Sequence, residues 1–151
     1  MKYMLDTNIC IYAIKGGDPH LDQRLDKCET GDLVMSAITL GELETGFAKS
    51  RAPDAARQQA AAIFQAVSVA PFDEAAARAF GQVQSAAPAK RGAYDRQIAA
   101  HAISLGLPVV TNNERDFEGI PGLNVENWTT STTTDRGADA QGNQASERPD
   151  P

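Results

Sequence analysis

Cysteine is scarce in this 151-residue chain, with Cys10 and Cys28 its two examples. Both stand in helix-like surroundings and match no CxxC or Cys/His spacing, which excludes a disulfide framework and makes a structural zinc site a poor fit. The two thiols read as reduced packing residues. Long apolar runs are missing as well: none approaches the roughly 18 residues of a membrane span, and charged Lys2 and Asp6 interrupt the N-terminal run too early for a secretory signal. A cytoplasmic protein is expected. Nor is there an excess of positive charge, for the formal net charge is -6. Asp135, Asp139, Glu147 and Asp150 against Arg136 and Arg148 put -2 of it after Trp128, leaving -4 on the preceding residues. That balance speaks against a passive nucleic-acid binder more than against a metal-dependent nuclease, whose acids are neutralised by bound cations.

What the chain does have is a device used repeatedly: a short apolar run, an abrupt polar residue, then an amphipathic stretch. Tyr3-Met4-Leu5 reads as a buried strand, and Asp6 stands where that strand leaves the sheet. Ile9, Ile11, Tyr12 and Ile14 then continue as a helical stripe, so Asp6 is either a simple helix cap or a carboxylate facing a crevice. Leu33-Val34-Met35 followed by Ser36 repeats the pattern, with Ile38, Leu40, Leu43 and Phe47 as the stripe and Glu42 one or two turns into the helix. Residues 54–67 and a segment from Phe72 to about Ser85 read as scaffold helices, separated by a short Ser68-Val69-Ala70 strand. Tyr94 to Ile103 opens another helix with Asp95 in its first turn, where a carboxylate suits the helix dipole. Leu107 to Val110 is a further parallel-type strand ending at Thr111-Asn112-Asn113, Asp116-Phe117 follows, and Leu123 to Trp128 reads as an edge strand.

The repeated order implies one α/β domain over residues 1–128: a mostly parallel sheet between two helical layers. Residues 129–151 are polar, nearly devoid of apolar side chains and expected to be a disordered tail. In such a sheet four junctions carry acids toward one edge, namely Asp6, Glu42, Asp95 and Asp116. Carboxylates brought together repel unless protonated or bridged by a cation, and an all-oxygen donor set favours Mg²⁺ or Mn²⁺ over zinc. A cation held there activates water and orients a phosphodiester. Thr7 and Ser36 are candidates to hydrogen-bond the carboxylates or a metal-bound water, and Asn112 or Asn113 to orient a carboxylate or phosphate. His101, six residues after Asp95, projects from a different helical face and is read as a structural or surface residue.

These residues also resemble a known family. Tyr3 to Tyr12, Ser36 to Leu43, Tyr94 to Ala102 and Val110 to Phe117 are similar to the motifs of PIN-domain ribonucleases, and Ile120 to Trp128 resembles the ending of VapC toxins from bacterial toxin–antitoxin pairs. The resemblance implies a three-layer α/β/α fold and Mg²⁺- or Mn²⁺-dependent cleavage of RNA, with an initiator tRNA anticodon loop as the specific substrate. It also implies inhibition by a VapB-like antitoxin, and homodimers. Asp6, Glu42 and Asp95 fall on the family's acidic positions and Asp116 on the acid before Phe. Many PIN domains carry a further acid where this chain has Asn113, which implies a second metal site that is weak or filled only with substrate. The alternative is therefore a non-catalytic PIN module that binds RNA or an antitoxin. Lys49, Arg51, Lys90, Arg91 and Arg115 flank the acidic junctions and are candidate phosphate contacts. A phosphotransfer domain would also use strand-end aspartates, but the chain has no Asp-x-Asp-x-Thr run.

Overall fold

Met4 and Leu5 are adjacent, fully buried and turned to opposite faces of one sheet, and the three-layer architecture follows from that alternation. The computed structural model describes residues 1–88 and 94–129. Its strands are β1 (Tyr3–Leu5), β2 (Leu33–Ser36), β3 (Ser68–Ala70), β4 (Val109–Val110) and β5 (Val125–Glu126), and its helices are α1 (Thr7–Lys15), α2 (Pro19–Asp26), α3 (Ala37–Lys49), α4 (Pro53–Ala66), α5 (Glu74–Ala86) and α6 (Tyr94–Leu105). A 3₁₀ turn covers Glu114–Phe117. Every strand pairing is parallel, in the order β3-β2-β1-β4-β5. The expected mostly parallel sheet is thus wholly parallel among the described residues.

Leu5, Leu33, Met35 and Val110 face a core completed by Ile9, Leu43 and Phe47 on α1 and α3, and by Ala60 on α4. Met4, Val34 and Val109 face the other layer, built from Val83 on α5 and Ile98, Ala99 and Ala102 on α6. Strands buried on both sides read as unbroken apolar runs, which is why each was short and uniform in the sequence. Four helices begin at a side-chain cap: Asp6, Asp18, Ser36 and Asp73 each accept from a backbone N–H of the first turn. Loss of any one such cap costs about 1 kcal/mol.

Two strands are shorter than expected. Leu107 donates its N–H to Ala102 O at the end of α6, and Pro108 has no N–H, so pairing in β4 starts at Val109. On the edge, Leu123 N–H closes a turn onto Ile120 O, and β5 begins only at Val125. Thr129 is still anchored, donating from its N–H and hydroxyl to Asn127 Oδ1. The polar tail expected beyond it lies outside the described residues, as do Lys90 and Arg91.

The strand order fixes where a site can lie. From β1 the chain builds outward through β2 and β3, then returns to place β4 and β5 on the opposite side of β1. The carboxyl ends of β1 and β4 therefore flank the point where the winding reverses, and such crevices are where open α/β sheets bind ligands.

Candidate acidic active site

Asp6 follows β1 directly, and its N–H donates to Val110 O at 3.0 Å, which pins it beside the end of β4. Its side chain is 2% exposed, and Oδ1 accepts from Ile9 N at 2.8 Å. The carboxylate also accepts a hydrogen bond from the side chain of Thr111, the residue immediately after β4. Asp6 is therefore both the cap of α1 and a wall of the crevice; the two sequence readings describe one residue. Burial pushes its pKa up to about 6; the bonds from Thr111 and Ile9 oppose the rise, while the negative charges of Asp95 and Asp116 add to it.

Asp95 stands in the first turn of α6 and is half-buried. Its pKa is likewise raised to about 6, first by burial, then by Asp116 and Glu42, with Arg96 pulling the other way. These mutual influences tie all four sequence-predicted acids to one end of the sheet. Each has a holder. Thr7 Oγ1 donates to Glu42 Oε1 at 2.7 Å and lies 3.3 Å from buried Thr39 Oγ1. Asn113 Nδ2 donates to Asp116 Oδ2 at 2.9 Å, while its N–H donates to Thr111 Oγ1 at 3.0 Å. Asn113 thus holds one of the acids in place.

Ser36 behaves differently from expectation. It was expected to support the carboxylates or a metal-bound water; instead its Oγ caps α3 at Ile38 N–H, 3.1 Å away, and lies 2.8 Å from His101 Nδ1. The reason is direction: Ser36 ends β2 with its side chain turned into the layer where α6 packs, and both residues are buried. His101 is accordingly structural rather than superficial. Its ring meets Phe72 edge-on at 5.4 Å, and burial holds its pKa below the ordinary value. Asn112 contributes a side-chain oxygen, Oδ1, that is buried without a hydrogen-bond partner.

Three residues of this end were given no role from the sequence: Thr39, Thr111 and Arg96. Arg96 Nη1 donates to Asp116 O at 2.6 Å and Nε to Ala87 O at 2.9 Å, so one guanidinium fixes the backbone that carries Asp116. Its position next to Asp95 was the available signal, because a carboxylate kept beside others needs a cation near it. Of the candidate phosphate contacts, Lys49, Arg51 and Arg115 are exposed and make no ion pair with another described residue. Arg115 lies in the 3₁₀ turn beside Asp116, and Lys49 lies on α3, seven residues after Glu42.

The donor set suits a hard divalent cation in charge and chemistry. Among the described residues no group of three or more His, Cys, Asp or Glu side chains is close enough together to hold a metal ion. Mg²⁺ fits such an open arrangement, because it keeps several waters and takes only one or two carboxylates together with substrate phosphate.

Comparison with known proteins agrees with this fold. Residues 3–123 match the family model described as the PIN domain. A "tRNA(fMet)-specific endonuclease VapC" of Salmonella typhimurium is 41% identical over 131 residues, covering 85% of this chain and 98% of that protein. "Ribonuclease VapC2" of Rickettsia felis is 33% identical with the same coverage of both. Among solved structures, the DNA-bound VapBC complex of Salmonella typhimurium superposes with a TM-score of 0.77 at 40% identity, over 85% of this chain and 98% of that one.

Proposed function

This chain belongs to the PIN-domain family, among its VapC ribonucleases, and on that premise we propose that it is a metal-dependent endoribonuclease, the toxin of a toxin–antitoxin pair. Its substrate is the initiator tRNA and its inhibitor a VapB-like antitoxin, as the names of its relatives suggest. The observation that carries the reading is the gathering of Asp6, Glu42, Asp95 and Asp116 at the reversal point of the sheet, where burial first and neighbouring acids second raise Asp6 and Asp95 to about 6. Carboxylates held that close to one another call for positive charge.

Mg²⁺ or Mn²⁺ bound by Asp6 and Asp95, with Glu42 and Asp116 beside them, would supply that charge, lower the pKa of a coordinated water and orient the phosphodiester. The chain's own contribution is placement. Thr111 and Ile9 N–H fix Asp6; Thr7 fixes Glu42 through Oε1; Asn113 and Arg96 fix Asp116 by its side chain and backbone. Because each hydrogen bond takes one carboxylate oxygen, Glu42 and Asp116 each present the other to cation, water or phosphate. Lys49, Arg51 and Arg115, with Lys90 and Arg91 from the segment before α6, are the cations offered to the RNA backbone.

The test sets purified initiator tRNA beside elongator methionine tRNA, with the full chain in Mg²⁺, Mn²⁺ or EDTA. Selective metal-dependent scission of the initiator supports the proposal. RNA bound but left intact by a folded protein favours the non-catalytic module.

A further inference from the structure

A groove of about 560 Å³ adjoins the acidic site and shares Glu42 with it. One wall is the outer face of α3, where Ala37, Ile38 and Gly41 give a smooth surface. Facing it is Tyr94, the residue before Asp95, with 56% of its surface exposed. Glu42 stands at the acidic end and Lys49 at the other, about 10 Å further along the helix at 1.5 Å per residue. The hydroxyl of Thr45, also on this face, is taken by Gly41 O at 2.8 Å, so the floor offers little hydrogen bonding.

We propose that this groove is a base-binding slot that seats the RNA nucleotide flanking the reacting phosphate, with Tyr94 stacking on its base and Lys49 receiving a phosphate further along. The inference rests on the nuclease reading and deepens it. An exposed aromatic ring opposite a smooth apolar wall is the arrangement by which single-stranded nucleic acid is held without sequence readout, since every base has a π-face. The volume lies within the range of pockets that take a ligand of nucleotide size. Position decides the occupant: Glu42 lines both the slot and the acidic site, so a strand threaded past the acids places its next residue here. The separation of Lys49 from Glu42 suits that polarity, with acids for the cation-bridged phosphate and an ammonium for an unbridged one.

Gly41 makes the slot testable. A Cβ built there meets no atom within 4 Å, and Gly41 lies inside α3 with no positive φ, so Gly41→Met fills the groove while improving helix propensity. The probe is a short single-stranded RNA with 2′-O-methyl riboses, which binds without being cut, followed by fluorescence anisotropy in Mg²⁺. We expect affinity to fall on the order of tenfold in Gly41→Met and in Tyr94→Ala, and Tyr94→Trp to regain what Tyr94→Ala loses. The melting temperature of Gly41→Met should be no lower than that of the unsubstituted chain. Equal affinity in all forms overturns the slot while leaving the nuclease intact. Loss of affinity in Gly41→Met together with a change in sedimentation assigns the groove to a second copy of the chain, and also overturns it. An unsubstituted chain that neither binds nor cuts RNA removes the nuclease reading itself.

Discussion

His101 Nδ1 and Ser36 Oγ lie 2.8 Å apart across the buried face between α6 and β2, 65 residues apart in the chain. Ser36 also caps α3, which carries Glu42, while His101 shares α6 with Asp95. This contact therefore links the start of one acid-bearing helix to the body of another. It does so without touching either acid.

His101→Leu keeps an apolar body of similar size but removes that hydrogen bond, and should cost roughly 1–3 kcal/mol of stability. RNA cleavage should fall as well, because α3 and α6 lose their common tie. Urea unfolding of His101→Leu, Ser36→Ala and the double variant checks the pairing: the two effects should be clearly non-additive.

Asp6 gives a pH dependence of definite sign. Its folded pKa of about 6 lies above the ordinary 3.8, so the folded chain binds the proton more tightly than the unfolded one. Metal-free stability due to this group is full below about pH 4 and is lost as pH rises through 6. Asp6→Asn retains one oxygen acceptor, enough for the Ile9 N–H bond, so it should be more stable than the unsubstituted chain at pH 7.5 in EDTA, by on the order of 2 kcal/mol. The difference should vanish near pH 4, and cleavage should be lost at every pH. Buried His101 has a lowered pKa and destabilises the fold as pH falls below its ordinary 6.5; it is common to both proteins and cancels in the comparison.

Thr7→Val and Asn113→Ala each remove one holder of an acid that remains in place. Both residues are partly exposed to exposed, so melting temperatures should shift little. Activity should drop roughly 10–100-fold, the usual effect of removing a partner of a metal-ligating carboxylate. Raising Mg²⁺ should recover part of it, which a simple folding defect would not allow.

Arg96→Lys tests whether charge alone is enough. A lysine keeps the positive charge near Asp95 but cannot reach Ala87 O and Asp116 O together as the guanidinium fork does. Cleavage should fall with Asp116 displaced, and the apparent pKa controlling activity should move less than in Arg96→Gln. Equal pH profiles for the two variants would show that Arg96 acts only through geometry.

The sheet was legible because its central strands β1, β2 and β4 are buried on both faces, and β1 and β2 are each followed at once by a capped helix. Strand ends were less so: what shortens β4 is the Leu107 N–H turning to α6, a choice made by tertiary packing. Asp6, Glu42, Asp95 and Asp116 were readable from their recurrence at equivalent junctions. Ser36 was misassigned because a strand-end hydroxyl carries no sign of which face it turns to. The roles of Thr111 and Arg96 were not readable for a related reason, since one acts on a carboxylate 105 positions earlier and the other on backbone carbonyls that leave no side-chain pattern.

The most direct test of the acidic site is to map new 5′ ends in total bacterial RNA after incubation with the purified chain. Mg²⁺, Mn²⁺ and EDTA are compared, with Asp95→Asn alongside. The site described here predicts discrete cuts with either metal and none with EDTA or with the folded variant. Intact RNA in Mg²⁺ and Mn²⁺, or cuts that persist in EDTA or in Asp95→Asn, would contradict it.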